Sequence, residues 1–344
     1  MNRKILMAIC ACVVATCAFL STACANSSDK SNDGDIGKRV EGEYKTFGSY
    51  PQSDVTDLMG ESLTDLQGVL PTSSDFRDWT NYEYYISGKK ETAFMWYKDM
   101  FHNGIKYRAV YFNGYRPYCT NFEGSENCSY QDDNGFASGK VYWFKFEPIE
   151  WRVIRKDNGV LTLLCEKIID SQDYNYSLDN QVNGGKSRYA NNYAYSSIRK
   201  WLNNDFYSAA FSESEKESIQ IVTVDNSGKT TYNVINPYAC ENTRDKVYLL
   251  SFQDSKNVEN GFNQNALFFD LARRKQNTDY AKVQGGINAV NEPYKDGGEW
   301  WLRSPDRDSS CSAHYVRNNG ASEYSDNNVN LTCRGVVPVI RVKL

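Results

Sequence analysis

The sequence predicts an α+β domain, mostly antiparallel sheet with a few short helices. Three observations carry this. Apolar and aromatic residues recur at strand spacing on either side of two Asn-Gly dipeptides, Asn103-Gly104 and Asn158-Gly159, the residue pair that two-residue hairpins favour. Helical spacing occurs only in short runs, two of them opened by capping serines, Ser196 and Ser212. Aromatic residues make up 14% of the 344-residue chain, with 25 Tyr, 16 Phe and 7 Trp, and such residues suit half-buried strands.

The chain opens with an export signal. Arg3 and Lys4 give a positive start, Ile5 to Leu20 is almost wholly apolar, and the small residues Ser21, Thr22 and Ala23 follow. This run is short for a membrane span, so residues 1–24 predict a lipoprotein signal peptide. Leu20-Ser21-Thr22-Ala23-Cys24 resembles the bacterial lipobox, whose cysteine thiol takes a diacylglycerol, although the leucine stands one place further from the cysteine than usual. Ala23-Cys24-Ala25 also fits an A-x-A cleavage site. Mass spectrometry of the mature N-terminus separates a lipidated Cys24 from a chain that begins at Asn26 without lipid. Residues 25–43 read as a flexible polar tether, and residues 44–344 as one domain without repeat or internal linker.

Within that domain Tyr44–Gln52 reads as a strand ended by a turn, and residues 53–80 give no firm assignment. Thr92–Tyr97 and Ile105–Phe112 form a hairpin across Asn103-Gly104. Gly114–Gly139 reads as a polar surface excursion. Val141–Arg155 is a long strand in which Pro148 must interrupt the ladder or sit at an edge, and Asp157-Asn158-Gly159 turns it into Val160–Cys165. Residues 171–194 read as loop. Ser196–Gln220 reads as two short helices joined near Asp205, with a capping box at Ser212–Glu215. Val247–Leu250 is a short buried strand, Ser251 caps a further helical turn, and Ala266–Arg274 is helical. Trp300–Leu302 and Val336–Val342 close the domain as strands around a polar, Gly-containing stretch.

Seven runs occur in a recognisable order: Phe47–Gln52, Pro148–Ile154, Ser197–Asn203, Phe211–Lys216, Asp245–Ser251, Trp300–Pro305 and Gly335–Pro338. This order resembles an uncharacterised family of bacterial surface domains, domain of unknown function 6273, over about residues 44–344. The family's closing motif reads Gly-Val-Arg-Pro, and Val337 stands here in place of the arginine. The arrangement is also similar to the C-type-lectin-like folds. That likeness implies paired N- and C-terminal strands, two helices on a sheet, and a polar insertion that displays the ligand site.

Net charge is −4 and the pI about 5.5, which gives a nucleic-acid partner no electrostatic support. Two histidines, His102 and His314, are too few for zinc without paired cysteines, and no G-x-S-x-G elbow occurs. Glu292-Pro293 faintly resembles the Glu-Pro pair of calcium-dependent lectins, but Tyr294 replaces the usual Asn, and a turn is the simpler reading. No metal site, cofactor or catalytic set is expected. Export permits disulfides among Cys119, Cys128, Cys165, Cys240, Cys311 and Cys333. Cys119 and Cys128 flank a short loop, Cys311 and Cys333 bracket the C-terminal stretch, and free buried thiols remain the alternative, which Cys165 fits best. Arg303, in an apolar setting, should pair with a carboxylate or backbone carbonyls.

The stretch Asp306–Arg334 reads as a surface loop, and its Tyr, Asn, Ser and Gly are the composition of adaptable recognition loops. Tyr315, Arg317, Asn318, Asn319, Tyr324 and Asn328 are the expected ligand-binding residues, with the Asp170–Ala194 loop as the second choice. The reading is a non-enzymatic surface lipoprotein, lipid-anchored at the cell surface or periplasmic face of a bacterial membrane, binding an extracellular glycan or protein. The competing readings are an exported enzyme and a structural envelope protein.

Overall fold

Two Asn-Gly turns frame the larger sheet. The computed structural model describes residues 41–344 apart from 60, 87–88, 92–94, 117–118, 120–127, 184, 323–325 and 344. The signal segment 1–24 with Cys24, most of the tether, Thr92–Phe94 and Tyr324 lie outside the described residues. The strands that matter here are β1 (Tyr44–Asp54), β2 (Thr80–Asn81), β3 (Met95–His102), β4 (Ile105–Phe112), β5 (Val141–Asp157), β6 (Val160–Cys165), β7 (Asp170–Ser171), β8 (Val247–Tyr248), β9 (Trp300–Pro305), β10 (Ser312–Val316), β11 (Asp326–Asn328), β12 (Gly335–Val336) and β13 (Val339–Lys343). The larger sheet runs β8-β13-β6-β5-β4-β3-β2, with β1 also on β5, and the smaller runs β7-β12-β9-β10-β11. Every pairing in them is antiparallel except β9 with β12. The architecture is the expected α+β one.

The hairpins close at His102↔Ile105 and Asp157↔Val160. Asn103, Gly104, Asn158 and Gly159 all have φ between 48° and 78°, the backbone that a type I′ turn requires. Pro148 falls in an interval of β5 that β1 covers, at Ser49↔Pro148, but that β4, on residues 141–145, and β6, on residues 151–157, do not. Its missing N–H therefore costs no bond to either strand. The Gln52 side chain donates to the Glu147 and Pro148 carbonyls at 3.0 Å each and fixes β1 there.

Residues 197–210 wind as one helix, with α-helical turns on either side of a π-helical stretch at Leu202–Phe206, so the expected break near Asp205 is an irregular continuation. Ser196 caps it by accepting from Arg199 N–H. Ser212 and Glu215 form the full capping box. The second oxygen of Glu215 accepts from Gly48 N–H at 2.8 Å and ties this helix to β1. Gly48 is required there, since its φ is 71° and a Cβ would meet the Phe211 ring at 2.6 Å.

Trp151, Trp300 and Trp301 are fully buried in one cluster with residues of both sheets, and the half-buried Trp201 packs against it. The chain crosses from the smaller sheet to the larger at Val337-Pro338, between β12 and β13. Val337 is fully buried. The terminal strands β1 and β13 are separated by β5 and β6 rather than paired.

Three further expectations are corrected. Gly114–Gly139 is not simply a surface excursion: Arg116, Cys119, Gln131 and Phe136 are buried. The Arg116 guanidinium donates to the Ser171 and Gln284 carbonyls, and Gln131 to the Val283 carbonyl. Cys311 and Cys333 carry free thiols, so no bridge closes the C-terminal stretch. Ala266–Arg274 forms turns and no helix. Asn263 and Asn265 just before it and Asp270 within it each accept a backbone N–H two residues on, a local alternative to helical bonding.

Asp170 is 1% exposed where the two sheets meet. It accepts from the Tyr50 hydroxyl at 2.7 Å and from Ser171 N–H at 2.7 Å. Burial outweighs these bonds and pushes its carboxyl up to about 6, against about 3.9 for a free aspartate. The folded state then binds more protons than the unfolded one between those values, so stability falls as pH rises through that window, by up to ~3 kcal/mol. Urea midpoints at pH 4.5 and 7 should differ in the wild-type protein and differ much less in Asp170→Asn. An unchanged gap in that variant removes Asp170 as the cause.

Candidate functional site

Three loops meet beside the smaller sheet, and two adjacent arginines grip them. The loops comprise residues 263–272, 289–297 and 317–322. Arg273 is fully buried. Its guanidinium donates to five carbonyls: Gly320 at 2.6 Å, Asn263 at 2.7 Å, Asn265 at 3.0 Å, Ser255 at 3.1 Å and Phe268 at 3.3 Å. It also pairs with Asp270 at 3.0 Å. Arg274 donates to the Lys295 carbonyl at 2.6 Å and so holds the second loop. The Trp300 indole N–H donates to the Arg273 carbonyl at 3.0 Å and fixes the whole assembly to β9.

The loops also touch one another. Asp270 N–H donates to the Asn319 carbonyl and Ser322 N–H to the Ala266 carbonyl. Gly320 has φ 83°, and a Cβ on it would lie 2.3 Å from the Asp270 carbonyl oxygen, so only glycine lets these two loops approach. A Cβ on Gly297 would likewise meet the Asn318 carbonyl oxygen at 2.3 Å.

This clamped backbone presents apolar side chains to solvent. Leu267 is 46%, Phe268 63% and Phe269 40% exposed. The Phe269 and Tyr294 rings lie 6.0 Å apart at 31°, which carries the aromatic surface from the first loop onto the second. Val290 is exposed on the same second loop. Arg317 is exposed, and Asn318 and Asn319 half-buried, on the third. A Gly320 N–H to Arg317 carbonyl bond at 2.8 Å closes their turn.

The expected ligand residues therefore divide. Arg317, Asn318 and Asn319 share this face. Tyr315 turns inward: it is 9% exposed on β10, its ring meets Trp301 edge-on at 6.4 Å, and the Arg334 guanidinium lies 4.7 Å from its centroid. Asn328 is exposed, but on β11 it pairs with Ser312 at the far end of β10, about 15 Å of strand from the 317–320 turn. The stretch 306–334 is thus not a solvated loop. Ser312–Val316 is buried throughout, as are Ser322, Val329 and Thr332–Arg334. His314 lies buried against the Tyr232 and Phe252 rings. Leu267–Phe269 and the two arginines stand outside the expected site residues, because the helical spacing of that run hides an exposed loop.

Arg303 pairs as expected, with Asp254 at 2.7 Å and the Leu249 and Asp225 carbonyls. Burial opposes the Asp254 charge, but Arg303 and Ser251 outweigh it and keep the carboxyl below its ordinary range. Burial pushes the Cys165 thiol up to about 12 and the Cys240 thiol to about 11, so neither is a thiolate nucleophile at neutral pH. Among the described residues no three His, Cys, Asp or Glu side chains gather as metal ligands. Glu292-Pro293 has a cis peptide in the second loop.

The family model "Domain of unknown function (DUF6273)" matches residues 158–344. Five of the seven runs quoted above fall within it, while Phe47–Gln52 and Pro148–Ile154 precede it. The three loops lie wholly inside the match. No curated protein and no solved structure matches the chain.

Proposed function

The chain belongs to the DUF6273 domain family, and from its loop face we propose that it is a membrane-tethered bacterial surface lipoprotein binding an extracellular glycan. The observation that carries this is the exposure of Leu267, Phe268 and Phe269 on a loop whose backbone Arg273 clamps. Exposed aromatic side chains gain nothing for the fold, and contiguous ones on a rigid support are what a recognition surface needs. Aromatic rings offer faces to sugar rings, and Arg317, Asn318 and Asn319 beside them offer hydrogen bonds to hydroxyls. Cys24 and the polar residues after it supply the tether in this reading. The C-type-lectin-like likeness belongs to the same proposal: ligand-facing loops beside the Trp300-Trp301 strand support it, and the separation of β1 from β13 weakens it.

The test is a glycan array probed with the purified protein, with whole cells and cell-surface proteins as parallel arms. Phe268→Ser/Phe269→Ser should weaken capture at least about 30-fold, since a dominant contact costs about 2 kcal/mol or more. The melting temperature should barely move, because exposed substitutions change stability by about 0.5 kcal/mol or less. Full binding by this variant would shift the site to the Asp170–Ala194 loop.

A further inference from the structure

A second, independent feature is a basic cleft beside β8, between the helix that starts at Ser197 and the short strand Thr243–Asp245. It encloses about 390 Å³ and is lined by Arg199, Lys200, Arg244 and Lys246, with Tyr195 and Ile221 among its other walls. The chain as a whole carries −4, so four cations in one cleft are a local reversal of its charge. Arg199 is neutralised, since it grips the fully buried Asp245 carboxylate at 2.6 Å. Lys200, Arg244 and Lys246 make no ion pair among the described residues.

The framework behind these charges is rigid. The Asn203 side chain donates to the Arg199 and Val247 carbonyls at 3.0 and 2.9 Å. It accepts from Lys246 and Val247 N–H, and so locks helix to strand. Arg199 adds a bond to the Ala194 carbonyl, and Thr243 donates its hydroxyl to Asp245. Lys246 is steadied over the Tyr207 ring at 4.1 Å. Three cations that make no ion pair, on a fixed frame, suit an anionic ester group that presents several acceptor oxygens. Tyr195, 37% exposed, and Ile221, 52% exposed, add an apolar wall that a bare ion would not use.

We propose that this cleft binds the phosphate or sulfate ester group of a saccharide. The anion meets Lys200, Arg244 and Lys246 while the sugar ring lies against Ile221 and Tyr195. The site shares no residue with the three-loop face, so either can fail alone. Calorimetry at low salt with glucose 6-phosphate, glucose 6-sulfate, glucose and inorganic phosphate tests it. Both esters should bind, glucose should not, and added salt should weaken the binding. Arg244→Ser/Lys246→Ser should weaken it at least about 30-fold, since a hydrogen bond to a charged group is worth about tenfold or more. Lys200→Ser/Arg244→Ser gives a second reading that leaves the Lys246–Tyr207 contact in place. Inorganic phosphate bound as tightly as the esters, no binding of either ester, or unchanged binding in both variants would overturn the proposal.

Discussion

Arg273→Met is expected to cost of order 3–5 kcal/mol and to loosen the three-loop face before the rest of the fold, because it removes at once the cation beside a carboxylate and the donor of five carbonyls. Methionine fills much of the same volume but donates nothing. The Asp270 carboxylate, 10% exposed, then loses its ionic partner and keeps the Asn263 and Ala272 N–H bonds. The carbonyls of Ser255, Asn263, Asn265, Phe268 and Gly320 lose a donor. Arg273→Lys keeps the charge but not the planar fork, which alone reaches carbonyls on several sides, and should fall between wild type and Arg273→Met. Urea denaturation gives the total, and amide hydrogen exchange shows where it acts. Residues 263–272 and 317–322 should lose protection first. A midpoint within about 0.5 kcal/mol of wild type, or protection lost evenly over both sheets, would show that the loops stand without this arginine.

That arginine also marks where the sequence could be read and where it could not. Asn103-Gly104 and Asn158-Gly159 announced their hairpins because a two-residue turn imposes a local backbone requirement that few residues meet. Ser212 and Glu215 announced a helix start for the same reason. In Arg273-Arg274-Lys275 the local signal points the wrong way, since three consecutive cations read as surface, yet all three are buried. Their partners are carbonyls and carboxylates such as Gly320 and Glu166, far along the chain. The apolar spacing of Ala266–Ala272 is helical, but Asn263 and Asn265 before it and Asp270 within it redirect the backbone. Polar neighbours put Tyr315 on the surface in a sequence reading. Ser312 and His314 are buried as well, so hydropathy carries no information along β10. The basic cleft was invisible for a further reason: Arg199 and Asp245 pair across 46 residues, and nothing in either run names the other.

Trp301, Trp151 and Trp201 should separate by how fully each is enclosed. Trp301→Ala and Trp151→Ala should each cost about 3–5 kcal/mol, as truncated core aromatics do. Trp301 is fully buried, donates its indole N–H to the Gln172 carbonyl at 2.9 Å, and meets Tyr174 and Tyr315 edge-on at 5.7 and 6.4 Å. Its loss removes one tie of the 171–194 segment as well as ring contacts on two sides. Trp151 is equally buried, donates to the Phe47 carbonyl at 2.7 Å and stacks on Phe211 at 6.4 Å, so it joins β1 to the helices. Trp201 is half-buried against Phe206 at 5.5 Å, and Trp201→Ala should cost only about 1–2 kcal/mol. For a domain of this size each kcal/mol moves the melting temperature by roughly 2–4 °C. The two buried positions should therefore fall by about 6–20 °C and Trp201→Ala by clearly less. Calorimetry on the three variants reads the order directly. Equal shifts would mean that burial does not rank these sites, and Trp201→Ala as the most damaging of the three would place the centre of the core at the helix rather than between the sheets.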